Sequence, residues 1–210
     1  MDLSQTIDIT ALSKLYKLPD GRLYLTTDYF VPELSAKDRV EKDGVNYNEW
    51  IDEGWITETN GNVIDYDAIR RRISGTYISG GIQEYDNECL AANCNLERIG
   101  YDRWGSRQIV INLVNDGIEM SDFGQGFKDM SPASKEFERL VLSGQLVHDG
   151  NPVTRWMLSN VIIIRDAADN IKPDKAKSKE KIGGIIASII SVGEYTDEEN
   201  GDYDYEIRTL

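Results

Sequence analysis

Two aspartates in this chain stand where carboxylates can do chemistry. Asp2 opens the run MDLSQTIDIT, immediately before a predicted hairpin, and Asp102 follows a short apolar segment in RIGYDRWG. An aspartate leaving a strand end is aimed at the crevice beyond the sheet, where open α/β sheets place ligands. Two such groups from adjacent strands are hard oxygen donors of the kind Mg²⁺ or Mn²⁺ prefers. A pair of those ions activates water and stabilises the leaving oxygen of a phosphodiester. The plainer role of an Asp after a strand is a turn or a helix cap, and the pattern alone leaves that alternative open.

Other common chemistries are missing from the sequence. There is no GxxxxGK[ST] phosphate loop, no GxGxxG after a strand and no GxSxG elbow. His148 is the sole histidine, so a Ser-His-Asp triad or a His-containing zinc site has little to build on. In the turn sequence HDGNP we expect it to serve the turn. Cys89 and Cys94 read as two reduced thiols of a cytosolic chain.

The elements that must position the two aspartates follow from patterning. Ala11–Leu18 and Arg22–Val31 alternate around Pro19-Asp20-Gly21 and predict a hairpin. Residues 32–80 carry turn signals interleaved with Trp and Tyr; they predict an insertion with short helices, one over Asp65–Ile73, that covers a sheet edge. Beyond it we expect a helix over Gly81–Asn95 and a strand at Arg98–Tyr101. Gln108–Asp116 fits either a strand or a helix, and a short strand follows at Ile118–Met120. Ser131-Pro132 predicts the start of a helix running to Leu142. Val147-His148 forms an edge, Asn151–Leu158 a short helix, and the unbroken apolar run Val161–Arg165 a buried strand. The last helix is expected from Pro173-Asp174 onward, with Ile182, Ile185, Ile186, Ile189 and Ile190 on one face. The fold class is α/β, a mixed sheet flanked by helices.

Charge narrows the partners. The 210 residues carry 23 Lys+Arg against 37 Asp+Glu, net −14. Seven of the acids and one arginine fall in residues 194–210, which leaves the rest at about −8. That excludes a strongly basic nucleic-acid coat and a polybasic membrane binder. No apolar stretch approaches the roughly 20 residues of a bilayer span, and no signal peptide is visible. We expect one domain over 1–193, followed by an acidic, disordered tail over 194–210.

Several segments together resemble one family. YDRWGSRQIV, FGQGFKDMSPASKEFERLVLSGQLVHDGNPVTRWMLSNV and NIKPDKAKSKEKIGGIIASII look like the C-terminal nuclease half of tailed-phage terminase large subunits. Upstream, FVPE, RVEKDGVNYNEWIDEGWIT and GNVIDYDAI match that family in order and spacing. The resemblance covers nearly all of residues 2–193. It implies a ribonuclease H-like fold and a metal-dependent endonuclease that cuts concatemeric viral DNA during genome packaging. It also implies Mg²⁺ or Mn²⁺ as cofactor. The implied partners are double-stranded DNA, the terminase ATPase domain, the small terminase subunit and the portal, in the cytoplasm of the host bacterial cell and without a membrane.

In that family three acids hold the metal. Asp2 matches the first and Asp102 the second, so the resemblance makes both catalytic metal ligands. The third belongs in a KIDGI-like segment, and here Lys181-Ile182-Gly183-Gly184-Ile185 puts Gly183 in its place. Glu180 and Asp174 are the nearest acids, and neither is well directed as a substitute. Only Met1 precedes Asp2, so the first central strand is expected to be truncated, as in a fragment of a longer gene product or a decayed remnant. The alternative function is therefore a catalytically impaired DNA-binding or packaging-complex module. Asp8 is a further acid close to Asp2, with turn capping its simpler role. Lys128, Lys135 and Arg139, near Gly124–Gly126, are candidate contacts to DNA phosphates. Trp104 and Trp156 are expected in the core.

Overall fold

The hairpin forms where alternation and turn chemistry agree. In the computed structural model, which describes residues 1–3, 9–33, 45, 47–103 and 106–200 (side chains through 197), β1 (Thr10–Lys17) pairs antiparallel with β2 (Leu23–Pro32). The register runs from Thr10↔Phe30 to Lys17↔Leu23. Gly21 closes the turn at φ +83°, a left-handed conformation open to glycine. Two short strands extend β2 in parallel: β3 (Ile56–Thr59) along Tyr29–Pro32, and β8 (Leu146–His148) along Leu23–Leu25.

A second parallel pair, β6 (Ile99–Asp102) with β7 (Met120–Phe123), lies on the other side of β1. Met1 and Asp2 join the two halves. Asp2 N–H donates to Ala11 C=O at 2.9 Å and Ala11 N–H returns a bond at 3.0 Å. The Met1 amine donates to Gly100 C=O at 2.6 Å, and Asp102 N–H donates to Met1 C=O at 3.4 Å. Met1–Asp2 is thus a short strand, antiparallel to β1 and parallel to β6. The order across the molecule is β7, β6, Met1–Asp2, β1, β2, then β3 and β8.

Helices cover both faces, and strand alternation decides which residue goes where. Ala11, Tyr29 and Val31 pack with Ile185, Ile186, Ile189 and Ile190 of α7 (Gly183–Asn200), and with residues of α5 (Phe127–Leu142) and α6 (Pro152–Asn160). Leu12 and Phe30 point the other way. They meet Met1, Ile69 and Ile73 of α2 (Tyr66–Ser74), and Ile109 and Leu113 of α4 (Arg107–Asn115). Each fully buried side chain of this size contributes roughly 1.5–3 kcal/mol. In the insertion, Trp50 of α1 (Tyr47–Asp52) contacts Tyr47 and Trp156, anchoring the segment on α6.

Several elements differ from the sequence expectation. No helix spans Gly81–Asn95. Gly80 and Gly81, both at positive φ, make a two-residue turn between β4 (Thr76–Ser79) and β5 (Ile82–Tyr85), and only α3 (Leu90–Asn93) is helical. Gln108–Asp116 resolves as helix α4. α5 starts at Phe127, so Pro132 lies inside it, and the Ser131 hydroxyl accepts from Ile171 N–H instead of capping. Val161–Arg165 is not a buried strand: β9 (Ile163–Arg165) is a largely exposed partner of β10 (Ile171–Pro173). Pro173 therefore ends a strand, and the Asp174 carboxylate accepts from Ala176 and Lys177 N–H in a turn. α7 begins only at Gly183 and runs through Asn200, so residues 194–200 of the expected tail are helical, and its residues 201–210 lie outside the described residues.

Candidate metal centre

The site grows from the ends of Met1–Asp2 and β6. Because the backbone of Asp2 is locked to Ala11, its carboxylate leaves on the α7 face, where it is buried. Asp102 ends the neighbouring strand, tied through its N–H to Met1, and its carbonyl accepts from the Ser106 hydroxyl at 2.8 Å where the chain turns into α4. The charge of Asp102 is felt at Asp2. The two sequence-identified acids therefore occupy adjacent strand ends.

Gly183 faces them. It is the first residue of α7, and a Cβ built on it stands 2.8 Å from Asp2 Oδ2 and 3.6 Å from Ile9 C=O. A side chain at 183 must project onto Asp2. Its position at the helix start, not the interior, also spares the helix most of the penalty that an interior glycine carries. Gly184 has a different reason to be glycine, since a Cβ there would lie 2.2 Å from the Tyr29 hydroxyl oxygen. α7 rests against the sheet at this point.

Sequence reasoning missed Lys175. Its Nζ donates to Asp2 Oδ1 at 2.7 Å, from a turn and not a helix. Burial pushes the Asp2 carboxyl above its ordinary range against the pull of this ammonium, and Asp102 adds repulsion. No local pattern singles Lys175 out from Lys177, Lys179 and Lys181; the contact spans 173 positions.

The other candidates lie apart or have other duties. His148 Nδ1 accepts from Gly150 N–H, which makes it a turn residue. Arg139 is paired with Glu136 at 2.7 Å and also donates to Gln145. Lys128 and Lys135 belong to the same helix, α5. Trp156 packs with the insertion as expected for core. Asp8 and Trp104 lie outside the described residues.

The donor set decides which metal arrangement fits. Among the described residues no group of three His, Cys, Asp or Glu side chains comes close enough to hold an ion. Glu180 and Asp174 do not fill the place facing Asp2. Two carboxylates remain, with an ammonium on one of them. As hard oxygen donors, Asp2 and Asp102 would hold one divalent ion more readily than a pair of ions.

The fold and these positions can be set beside known proteins. A family model described as terminase large subunit, endonuclease domain, matches residues 1–199. The large terminase subunit of Enterobacteria phage HK97 is 31% identical over 97% of this chain and 39% of its own length. Protein YmfN of Escherichia coli strain K12 is 26% identical over 91% of this chain and 41% of its own. The chain thus spans about two fifths of the length of these relatives. The crystal structure of the HK97 large terminase superposes with a TM-score of 0.79 at 31% identity, over 92% of this chain and 38% of that one. The mixed sheet with its flanking helices is accordingly a ribonuclease H-like fold. With the family model matched over residues 1–199 and a relative 31% identical over 97% of the chain, the chain belongs to the endonuclease domain family of terminase large subunits.

Proposed function

We propose that this chain is the DNA-cutting domain of a genome-packaging machine, acting on concatemeric double-stranded viral DNA through a single divalent ion, Mg²⁺ or Mn²⁺. The observation that carries this is the meeting of Asp2 and Asp102 at adjacent strand ends, opposite the first turn of α7. Asp2 and Asp102 would hold the ion. When bound, it supplies an activated water and stabilises the leaving oxygen of the phosphodiester. Lys175 is half exposed, so it can swing off Asp2 and pair with a DNA phosphate oxygen. Contacts of this kind go to the backbone and not to bases, so DNA binding falls steeply with salt. The terminase ATPase domain, the small subunit and the portal are the partners this reading assigns, in the cytoplasm of an infected bacterium. Among the described residues no helix is long and apolar enough to cross a membrane.

A second reading is favoured by one specific arrangement: Gly183 supplies no carboxylate and Lys175 already neutralises Asp2. A domain so altered binds DNA within the packaging complex and cuts it poorly or not at all. Plasmid nicking separates the two. Nicking with Mn²⁺ that is lost in Asp102→Ala supports the nuclease. No metal-dependent nicking by the native chain, with nicking restored by Gly183→Asp, supports the impaired module.

A further inference from the structure

A row of sheet residues lies beneath the start of α7. Asp2 bridges Ala11, and Ala11 pairs with Tyr29, so the three stand side by side across the sheet. Ala11 and Tyr29 pack on the α7 face, and Asp2 Oδ2 meets the place of a Cβ on Gly183 on that same face. Two strand spacings, about 10 Å, separate the backbones of Asp2 and Tyr29. The helix residues above them, Gly183 and Gly184, are neighbours with Cα atoms about 3.8 Å apart. The Tyr29 ring must therefore reach back over Ala11, whose single methyl leaves room for it. It ends under Gly184, where a built Cβ would stand 2.8 Å from Tyr29 Cε1 and 2.9 Å from Cζ.

Helix α6 holds both sides of this contact. Its N-cap Asn151 accepts from Val153 and Thr154 N–H, and the Asn151 amide donates to Thr27 C=O of β2 at 3.4 Å. The Thr154 hydroxyl shares a hydrogen bond of 2.7 Å with the Tyr29 hydroxyl. Three residues on, Met157 Sδ accepts from Gly184 N–H at 3.1 Å. Residues three apart lie on one helix face, so α6 presents the two contacts together. Gly184 N–H is among the first donors of a helix, which have no partner within it, and a thioether is a weak acceptor. The steric stop that Tyr29 offers is thus the firmer restraint on this turn.

We propose that Tyr29 is a positioning residue of the candidate metal centre: with its hydroxyl held by Thr154, its ring sets the height of the first turn of α7 over Asp2. It acts through Gly184, and the inference rests on the reading of Asp2 and Asp102 as the metal ligands. Three observations carry it. Asp2 and Tyr29 share one row of the sheet, adjacent residues of α7 rest on them, and α6 anchors both the phenol and the turn. Phenylalanine is not equivalent at position 29, because the hydroxyl oxygen is the atom nearest to the Cβ place of Gly184. Without the bond to Thr154 the ring can tilt, the turn shifts on Asp2, and the Asp2 carboxylate loses its fixed direction.

Tyr29→Phe and Thr154→Val remove the same hydrogen bond from opposite ends, and Thr154 is half-buried, so its change is the milder one for folding. Carbon NMR signals of Asp2 Cγ and Lys175 Cε in chelator report on the site without metal, with the Arg70–Asp116 pair as remote control. Mn²⁺ paramagnetic resonance titration with double-stranded DNA reports on it with metal. Both variants should shift the Asp2 and Lys175 signals and leave the control in place. Each should weaken Mn²⁺ binding about fivefold, and the double variant should bind no more weakly than either single one, since one bond is lost in all three. Thr154→Ser should restore native behaviour. Native signals and native Mn²⁺ affinity in both folded variants overturn the proposal, as does a loss that Thr154→Ser leaves in place. If the native chain binds no Mn²⁺, the ligand reading falls, and the NMR signals alone decide whether Tyr29 positions Asp2.

Discussion

Placing an aspartate at position 183 is the most informative single change. Its Cβ would begin 2.8 Å from Asp2 Oδ2, so the Asp2 carboxylate must shift by a few tenths of an ångström. Two carboxylates would then share one small volume with Asp102 nearby. Like charges about 4 Å apart repel by about 4 kcal/mol at an effective dielectric constant of about 20. Lys175 and the favourable dipole at the start of α7 offset part of this, the latter by about 0.3–1 kcal/mol. In chelator, Gly183→Asp should therefore be less stable than the native chain by about 2 kcal/mol, or about 4–8 °C in Tm for a domain of this size. On the proposed reading a divalent ion would reverse the sign, because a carboxylate at 183 would add a third acid to Asp2 and Asp102. An ion present at about 100 times its Kd adds about 2.7 kcal/mol. Thermal unfolding with EDTA and with Mn²⁺ measures both effects, and Gly183→Asn supplies the same bulk without the charge. The aspartate variant should fall lowest in EDTA and gain most from Mn²⁺, with the native and asparagine proteins gaining little. Identical behaviour of the aspartate and asparagine variants in both conditions would refute the placement of residue 183 over an ion site.

Removing the ammonium tests its competition with metal: Lys175→Met should tighten Mn²⁺ binding several-fold in a calorimetric titration and cost about 1–2 kcal/mol without metal, the figure reduced because Lys175 is half exposed. The Arg70–Asp116 pair, bonded at 2.6 and 2.7 Å and well buried, joins α2 to the end of α4. Asp116→Asn should cost about 3 kcal/mol in denaturant unfolding by leaving Arg70 without its charge partner. Although burial raises it, the Asp116 carboxyl is held below its ordinary range by hydrogen bonds from Arg70 and Ser74. The unfolded chain then binds the proton at higher pH than the folded one. This contribution is full above the ordinary carboxylate range and is lost as pH falls through the depressed value. The acid limb of the stability profile should flatten in the asparagine variant.

What the sequence disclosed depended on whether the signal was local. Pro19-Asp20-Gly21 fixed the hairpin because the turn chemistry sits in three adjacent residues. Asp65 and Asn151 were legible as helix starts for the same reason, and each carboxylate or amide oxygen accepts the expected backbone bonds. The Ile182–Ile190 stripe revealed its helix but not its origin, since Lys172 and Pro173 belong to a strand whose partner is set by tertiary pairing. The apolar spacing beyond Gly80-Gly81 also fits a helix, which masks the hairpin turn these two glycines make. β3 was missed because it borrows its hydrogen bonds from β2 across the insertion. At the site, Asp2 and Asp102 emerged as strand-end acids, but pattern alone could not separate ligand from turn. The family resemblance is what implies the ligand role for both, and it also sets Gly183 in the place of the third acid. Lys175 carried no local mark at all.

The central claim is that Asp2 and Asp102 together hold one divalent ion. Mn²⁺ paramagnetic resonance titration of the native chain in the presence of double-stranded DNA measures this directly. The account predicts one bound ion per chain, lost in both Asp2→Asn and Asp102→Asn. Binding that survives in either variant, or no binding by the native chain at millimolar Mn²⁺, would contradict it.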